Sequence, residues 1–216
     1  MLPSPLLGPV AYEPLAAALR ERGHPVVADC PEPIEPQRLI TLWSRTAERA
    51  DVLVAHSNAG YLAPVVSASV GGPPVLFMDA ALPPAEGTTR LAPPDFLETL
   101  RGLAGSDGRL PPWTRWWPAD QMAEVLPGAW FGRVDSAAPR LPLTYFETEI
   151  LTPEDWATRP CAYLAFGTTY AGEVAFARDR GWPVVELIGH HLWHLQRADE
   201  VVEVLERLLI RLAGSV

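Results

Sequence analysis

Two short stretches hold the residue types that can do chemistry on a carbonyl group. Residues 51–61 read DVLVAHSNAGY, an apolar run (Val52–Ala55) that leads directly into His56-Ser57-Asn58 and then into small residues. A serine where a buried strand turns into a helix is lifted clear of the backbone, and small flanking residues leave room for the strained turn. The pattern is usually written G-x-S-x-G; here Ala55 and Ala59 replace the two glycines, and Gly60 follows. The plainer alternative is a serine capping a helix that starts at Asn58. A serine hydroxyl is a useful nucleophile only beside a general base. The second stretch, Gly189-His190-His191-Leu192-Trp193-His194, supplies three imidazoles. Three histidines so close together also suit zinc, but the run contains no acidic or thiol partner, so no metal site is expected.

The elements that must position these residues follow from the hydrophobic pattern. Met1–Leu7 reads as a strand, Pro9–Arg22 as a helix stopped by Gly23, and His24–Asp29 as a short buried strand. A proline-rich connection, Pro31–Pro36, leads to a helix over Gln37–Ala50, the serine-bearing stretch, and a strand at Val75–Met78. Strands without polar alternation, separated by helices, predict a parallel sheet covered on both faces. From Ala80 to Arg159 the alternation lapses into Pro-, Trp- and Gly-rich sequence, with short helical candidates at Asp95–Leu103 and Asp120–Leu126. It resumes with a strand at Cys161–Phe166, a helix at Ala171–Arg180, a strand at Pro183–Ile188 and a closing helix at Ala198–Ala213. Residues 1–79 and 160–216 are therefore expected to form one α/β core, and 80–159 an insertion. Trp113, Trp116, Trp117 and Trp130 lie in that insertion, and their density points to the lining of an apolar pocket.

With these elements in order, the chain resembles the α/β-hydrolase superfamily over essentially its whole length. It is most similar to the compact plant esterase and hydroxynitrile-lyase type, in which a lid follows the strand after the serine. The resemblance implies an α/β-hydrolase fold with a mostly parallel sheet, and a serine, an acid and a histidine in that chain order. It selects Ser57 as nucleophile and, by its place between last strand and last helix, His191 as base. An acid is implied just after Cys161–Phe166, where residues 167–173 read GTTYAGE and offer no Asp. Some members take the acid from the end of the preceding strand, which here gives Asp79. One oxyanion N–H is implied at Asn58. Aligned without a gap, the second falls on Pro5, which has no N–H, and passes to Leu6 only if the loop is differently shaped.

Composition narrows the partners. The 216 residues carry a net charge of −9, and all 17 basic residues are arginine. Without a basic stripe to displace counterions, neither nucleic acid nor an anionic membrane is expected as a partner. No apolar run approaches about 18 residues, so no membrane span is expected. The N-terminus has no charged, signal-like region, so a cytoplasmic protein is expected. Two cysteines, Cys30 and Cys161, make no disulfide framework. The sequence therefore predicts a cofactor-free serine hydrolase for a bulky hydrophobic ester or thioester. The competing expectations are a lyase, isomerase or cyclase acting on a polyketide-like substrate, and a silent binding protein on the same scaffold.

Overall fold

The computed structural model describes residues 1–28 and 35–213. Its strands are β1 (Leu53–Ser57), β2 (Val75–Ala80), β3 (Thr88–Arg90), β4 (Glu149–Leu151), β5 (Cys161–Phe166) and β6 (Val184–Leu187). The main sheet is parallel throughout, in the order β1-β2-β5-β6, while β3 and β4 form a separate antiparallel pair. The helices are α1 (Glu13–Glu21), α2 (Pro36–Ala47), α3 (Ala63–Ser69), α4 (Pro94–Leu103), α5 (Ala119–Val125), α6 (Gly128–Ala137), α7 (Leu143–Glu147), α8 (Ala171–Asp179), α9 (Trp193–Gln196) and α10 (Ala198–Ala213).

Two apolar clusters, one per sheet face, account for the continuously hydrophobic strands. Side chains alternate across a strand. Leu53, Ala55, Val75, Phe77, Cys161, Tyr163 and Ala165 join one cluster, with Leu39 and Trp43 of α2 and Val66 of α3. Val54, Leu76, Met78, Ala162, Leu164 and Phe166 join the other, against Leu15 and Leu19 of α1 and Val201, Leu205 and Leu208 of α10. Truncating any one of these fully buried leucines to alanine is worth about 2–5 kcal/mol. The segment between β2 and β5 belongs to the first cluster through Leu91, Leu97, Leu100, Leu110, Met122 and Val134. It closes over the same sheet face, and no separate core of its own is found among the described residues.

Two expected strands do not form. Met1–Leu7 contributes a single bridge, Leu2 to Ala55, through Leu2 N–H to Val54 O (2.7 Å) and His56 N–H to Leu2 O (3.1 Å). Pro3 and Pro5 lack the N–H that would continue the ladder, and Ser4 N–H is drawn away to the Tyr12 hydroxyl at 2.6 Å. With no ladder there to extend, residues 24–28 remain irregular. Asp29, Cys30 and most of the Pro31–Pro36 connection lie outside the described residues. The expected helix over Pro9–Arg22 is a 3-10 turn (Pro9–Tyr12) followed by α1. No helix among the described residues is long and apolar enough to cross a membrane.

Candidate active site

Ser57 ends β1 at φ 57° and ψ −132°, a conformation that L-residues rarely adopt. Holding it costs about 1–3 kcal/mol, and the surrounding packing must supply that. Asn58–Tyr61 makes a 3-10 turn, and α3 begins at Ala63. The tightness of the turn is visible at Gly60, where an added Cβ would sit 2.0 Å from Ala81 O and 3.0 Å from Ala80 Cβ. Only glycine lets the turn lie against the end of β2.

The end of β2 carries the second special feature. The β1–β2 register pairs His56 with Met78 but Ser57 with Ala80, so Asp79 is a bulged residue, at φ 42°. A bulge re-aims a side chain that the regular pleat would bury. Asp79 is fully buried, and its carboxylate replaces the missing ladder: Oδ1 accepts Phe166 N–H at 2.8 Å. Tyr163 on β5 repairs the neighbouring gap, its hydroxyl donating to Ala80 O at 2.5 Å and accepting Ala80 N–H at 3.1 Å. The other oxygen, Oδ2, is free to face His191.

Here the three residues meet. Nδ1 of His191 is 2.6 Å from Asp79 Oδ2, and Nε2 is 3.0 Å from Ser57 Oγ. A carboxylate at Nδ1 holds the proton there and leaves the Nε2 lone pair facing the serine hydroxyl. This is the geometry for moving a proton from Ser57 Oγ to His191.

His191 is backed by His56 and Tyr12, to which sequence reasoning gave no role, and by His194, expected as a neighbour or lid contact. His56 stacks on it, with ring centroids 4.8 Å apart, and its Nε2 is 3.2 Å from His191 O. A carbonyl only accepts, so His56 carries its proton on Nε2, and its Nδ1 accepts the Tyr12 hydroxyl at 2.8 Å. Ser4 N–H donates in turn to Tyr12, giving a chain from the first loop to the backbone of the His191 loop. Burial, then the nearby His194 and His191, push the His56 pKa well below the usual imidazole range. His194, buried with Nε2 on Ala11 O at 3.0 Å, is pushed down to about 3 by burial and by His191. Two neutral imidazoles thus flank His191. A histidine within an otherwise apolar strand was the available signal for His56. Among the described residues no group of His, Cys, Asp and Glu is arranged to hold a metal ion.

Asn58 follows Ser57 and opens the 3-10 turn, so its N–H has no acceptor within that turn. Its side chain is clamped by the β2–β5 segment: Nδ2 donates to Leu91 O at 2.7 Å, and the Tyr145 hydroxyl donates to Oδ1 at 2.9 Å. Leu6, not Pro5, faces the space in front of Ser57. The nearest acceptor to its N–H is Ser4 Oγ at 3.4 Å, longer than an ordinary hydrogen bond. The Tyr170 phenol lines the same space as Ser57, at the start of α8, and burial raises its pKa.

That space is a cavity of about 530 Å³ that reaches Ser57, Asn58 and His191. Its apolar wall includes Trp113, Trp116, Trp117, Phe96, Leu91, Met122 and Val125, all from the β2–β5 segment. Trp113 comes within 6.1 Å of the His191 ring, centroid to centroid. Trp130 is not in this wall, which corrects the sequence expectation. It lies on α6, partly buried, with the Arg133 guanidinium 4.7 Å from its ring. The lining also includes Tyr61, Tyr170 and Glu173, which sequence analysis did not assign to the site.

No family model matches the sequence, and no curated protein sequence matches it. Solved structures do. An extracellular α/β-hydrolase from a Paenibacillus species, which shares homology with tobacco salicylic acid binding protein 2, superposes with a TM-score of 0.75 at 15% identity, covering 96% of each chain. The pyrethroid hydrolase PytH matches with a TM-score of 0.71 at 16% identity, over 97% of this chain and 95% of its own. AqDC, which recognises and ring-cleaves the Pseudomonas quinolone signal, matches at 0.59 and 19% identity, over 99% of this chain and 90% of its own. The likeness spans nearly the whole length of each neighbour. The sheet order, the serine turn after β1 and these superpositions together establish that the chain has the α/β-hydrolase fold.

Proposed function

We propose that the protein is a serine esterase for a hydrophobic ester or thioester. The observation that carries this reading is the unbroken Asp79–His191–Ser57 hydrogen-bond chain at the floor of an aromatic cavity. Ser57 Oγ attacks the acyl carbonyl as its proton passes to His191 Nε2, and Asp79 stabilises the imidazolium through Nδ1–H. The carbonyl oxygen becomes an oxyanion, held by the Asn58 N–H and, once its long contact to Ser4 is exchanged for substrate, by the Leu6 N–H. His191 returns the proton to the leaving alcohol or thiol as the tetrahedral intermediate collapses. Water, deprotonated by His191, then attacks the acyl-serine and releases the acid. Residues 80–159 act as a lid, with Trp113, Trp116 and Trp117 covering the acyl or alcohol portion. A serine-directed fluorophosphonate should label Ser57 in the folded protein and leave Ser57→Ala unlabelled. Failure to label the wild type sinks the proposal.

A second reading, non-hydrolytic chemistry on the same scaffold, is favoured by the long reach of the Leu6 N–H and by the Tyr170 phenol in the lining beside Ser57. In it His191 acts as general base on a bound carbon acid or hydroxyl, and Ser57 only donates a hydrogen bond. Turnover of the natural substrate by Ser57→Ala would favour it; an acyl-serine trapped in the wild type would end it.

A further inference from the structure

Among the described residues lining the cavity, Glu173 is the one carboxylate. It projects from the first turn of α8, half-buried, and no arginine or histidine pairs with it among the described residues. Tyr61 and Tyr170 line the same cavity, close enough for Glu173 to raise both phenol pKa values after burial has done so. Burial, with Asp79 adding like-charge repulsion, raises the Glu173 pKa in turn. A carboxylate in this position is stabilised by the helix N-terminus, but that does not replace the water it loses when a ligand fills the cavity. A neutral ligand would seal an unpaired charge under the indoles. A ligand with a positive charge would pair with it and lie among Tyr61, Tyr170 and the tryptophans of the lining, aromatic rings that can attract a cation.

We propose that Glu173 is a specificity determinant and that the substrate is an ester or thioester carrying an ammonium group, tertiary or quaternary, set against Glu173 and the aromatic wall. The proposal rests on the esterase reading for the bond that is broken, but not for binding. The net charge of −9 draws the same class of molecule toward the protein.

The test uses two esters of nearly equal shape, butyrylcholine and 3,3-dimethylbutyl butyrate, which differ in one positive charge. Binding is followed by tryptophan fluorescence in Ser57→Ala, where acyl transfer to the serine cannot intervene. The expected result is at least about tenfold tighter binding of the choline ester, roughly the scale of one desolvated cation–π and ion-pair contact. Adding Glu173→Gln, which keeps the side-chain shape, should bring the two affinities together. Equal binding in Ser57→Ala overturns the proposal, as does a preference that survives Glu173→Gln. So does a loss of both affinities alike, which would mark Glu173 as a helix-terminal support only. Fluorophosphonate labelling of the wild type decides the esterase reading separately: labelling without charge preference removes the role of Glu173, and charge preference without labelling removes hydrolysis.

Discussion

Two carboxylates serve the neighbourhood of Ser57, one behind His191 and one in the cavity lining, and their surroundings differ completely. Asp79, on the bulge of β2, has no exposed surface, and both its oxygens are committed, one to Phe166 N–H and one to His191. Glu173, on the first turn of α8, retains partial exposure and takes no charged partner among the described residues. Depth of burial alone would rank Asp79 as the more strained group. Hydrogen bonding reverses that ranking, because a carboxylate that accepts two N–H groups is solvated by the protein. The satisfied carboxylate suits a fixed role in orienting a base, and the unsatisfied one suits a partner that arrives from outside.

The widest separation between the two should appear in turnover. Asp79→Asn presents an amide N–H or O to His191 and disturbs the tautomer, so kcat on any accepted ester should fall by about 10⁴-fold. A loss under tenfold, measured beside Glu173→Gln, would dissolve the distinction. Stability should separate them next. Asp79→Ala leaves Phe166 N–H buried without an acceptor, at a cost of about 1–3 kcal/mol, whereas Glu173→Gln should not lower the denaturation midpoint.

The pH dependence has opposite signs around the two sites. His56 and His194, beside His191 on the Asp79 side, have depressed pKa values, so the unfolded chain binds more protons below the ordinary imidazole value. Their contribution is present above about pH 6.5 and drains away as the pH falls through the folded values, near 3 for His194. The raised pKa of Glu173 works the other way: its folded form holds a proton longer, so stability declines as pH rises from 4.5 through the folded value. Melting curves at closely spaced pH should show His194→Gln flattening the acid limb and Glu173→Gln removing the decline. The smallest effect concerns Ser57 itself. Ser57→Gly should abolish labelling yet raise stability slightly, because relief of the positive-φ strain, about 1–3 kcal/mol, exceeds the ~0.4–1 kcal/mol of unfolded-chain entropy that glycine adds. A melting temperature lowered by that entropy alone would mean that the serine turn stores no strain.

The parts legible in the sequence were those written in local pattern. Ser57 stood out because an apolar run stops abruptly at small residues, and the closing helix was delimited correctly at Ala198–Ala213 by its apolar face. Asp79 was nameable only as a strand-end acid. Its bulge, which aims it, depends on the register between β1 and β2 and leaves no trace in either strand alone. The failed strand at Met1–Leu7 was decided by Pro3 and Pro5, whose missing donors outweigh an apolar composition. Tryptophan density marked the cavity wall, but density cannot separate Trp113, Trp116 and Trp117 from Trp130, one helix away on α6. Glu173 was invisible because a first-turn glutamate is ordinary on any exposed helix.

The reach of the site along the chain has a consequence for how the protein comes to be active. Ser57 and His191 are separated by 134 residues, and Asp79 and His191 by 112. Contacts so distant in sequence pay their loop-closure entropy late, and a parallel sheet assembles slowly for the same reason. On dilution from denaturant, intrinsic fluorescence should recover as the indoles are buried, before Ser57 regains reactivity toward a fluorophosphonate with the docking of the His191 loop. In that interval the chain is collapsed but inert, with an unfinished aromatic face exposed to its neighbours, so refolding yield should fall as protein concentration rises.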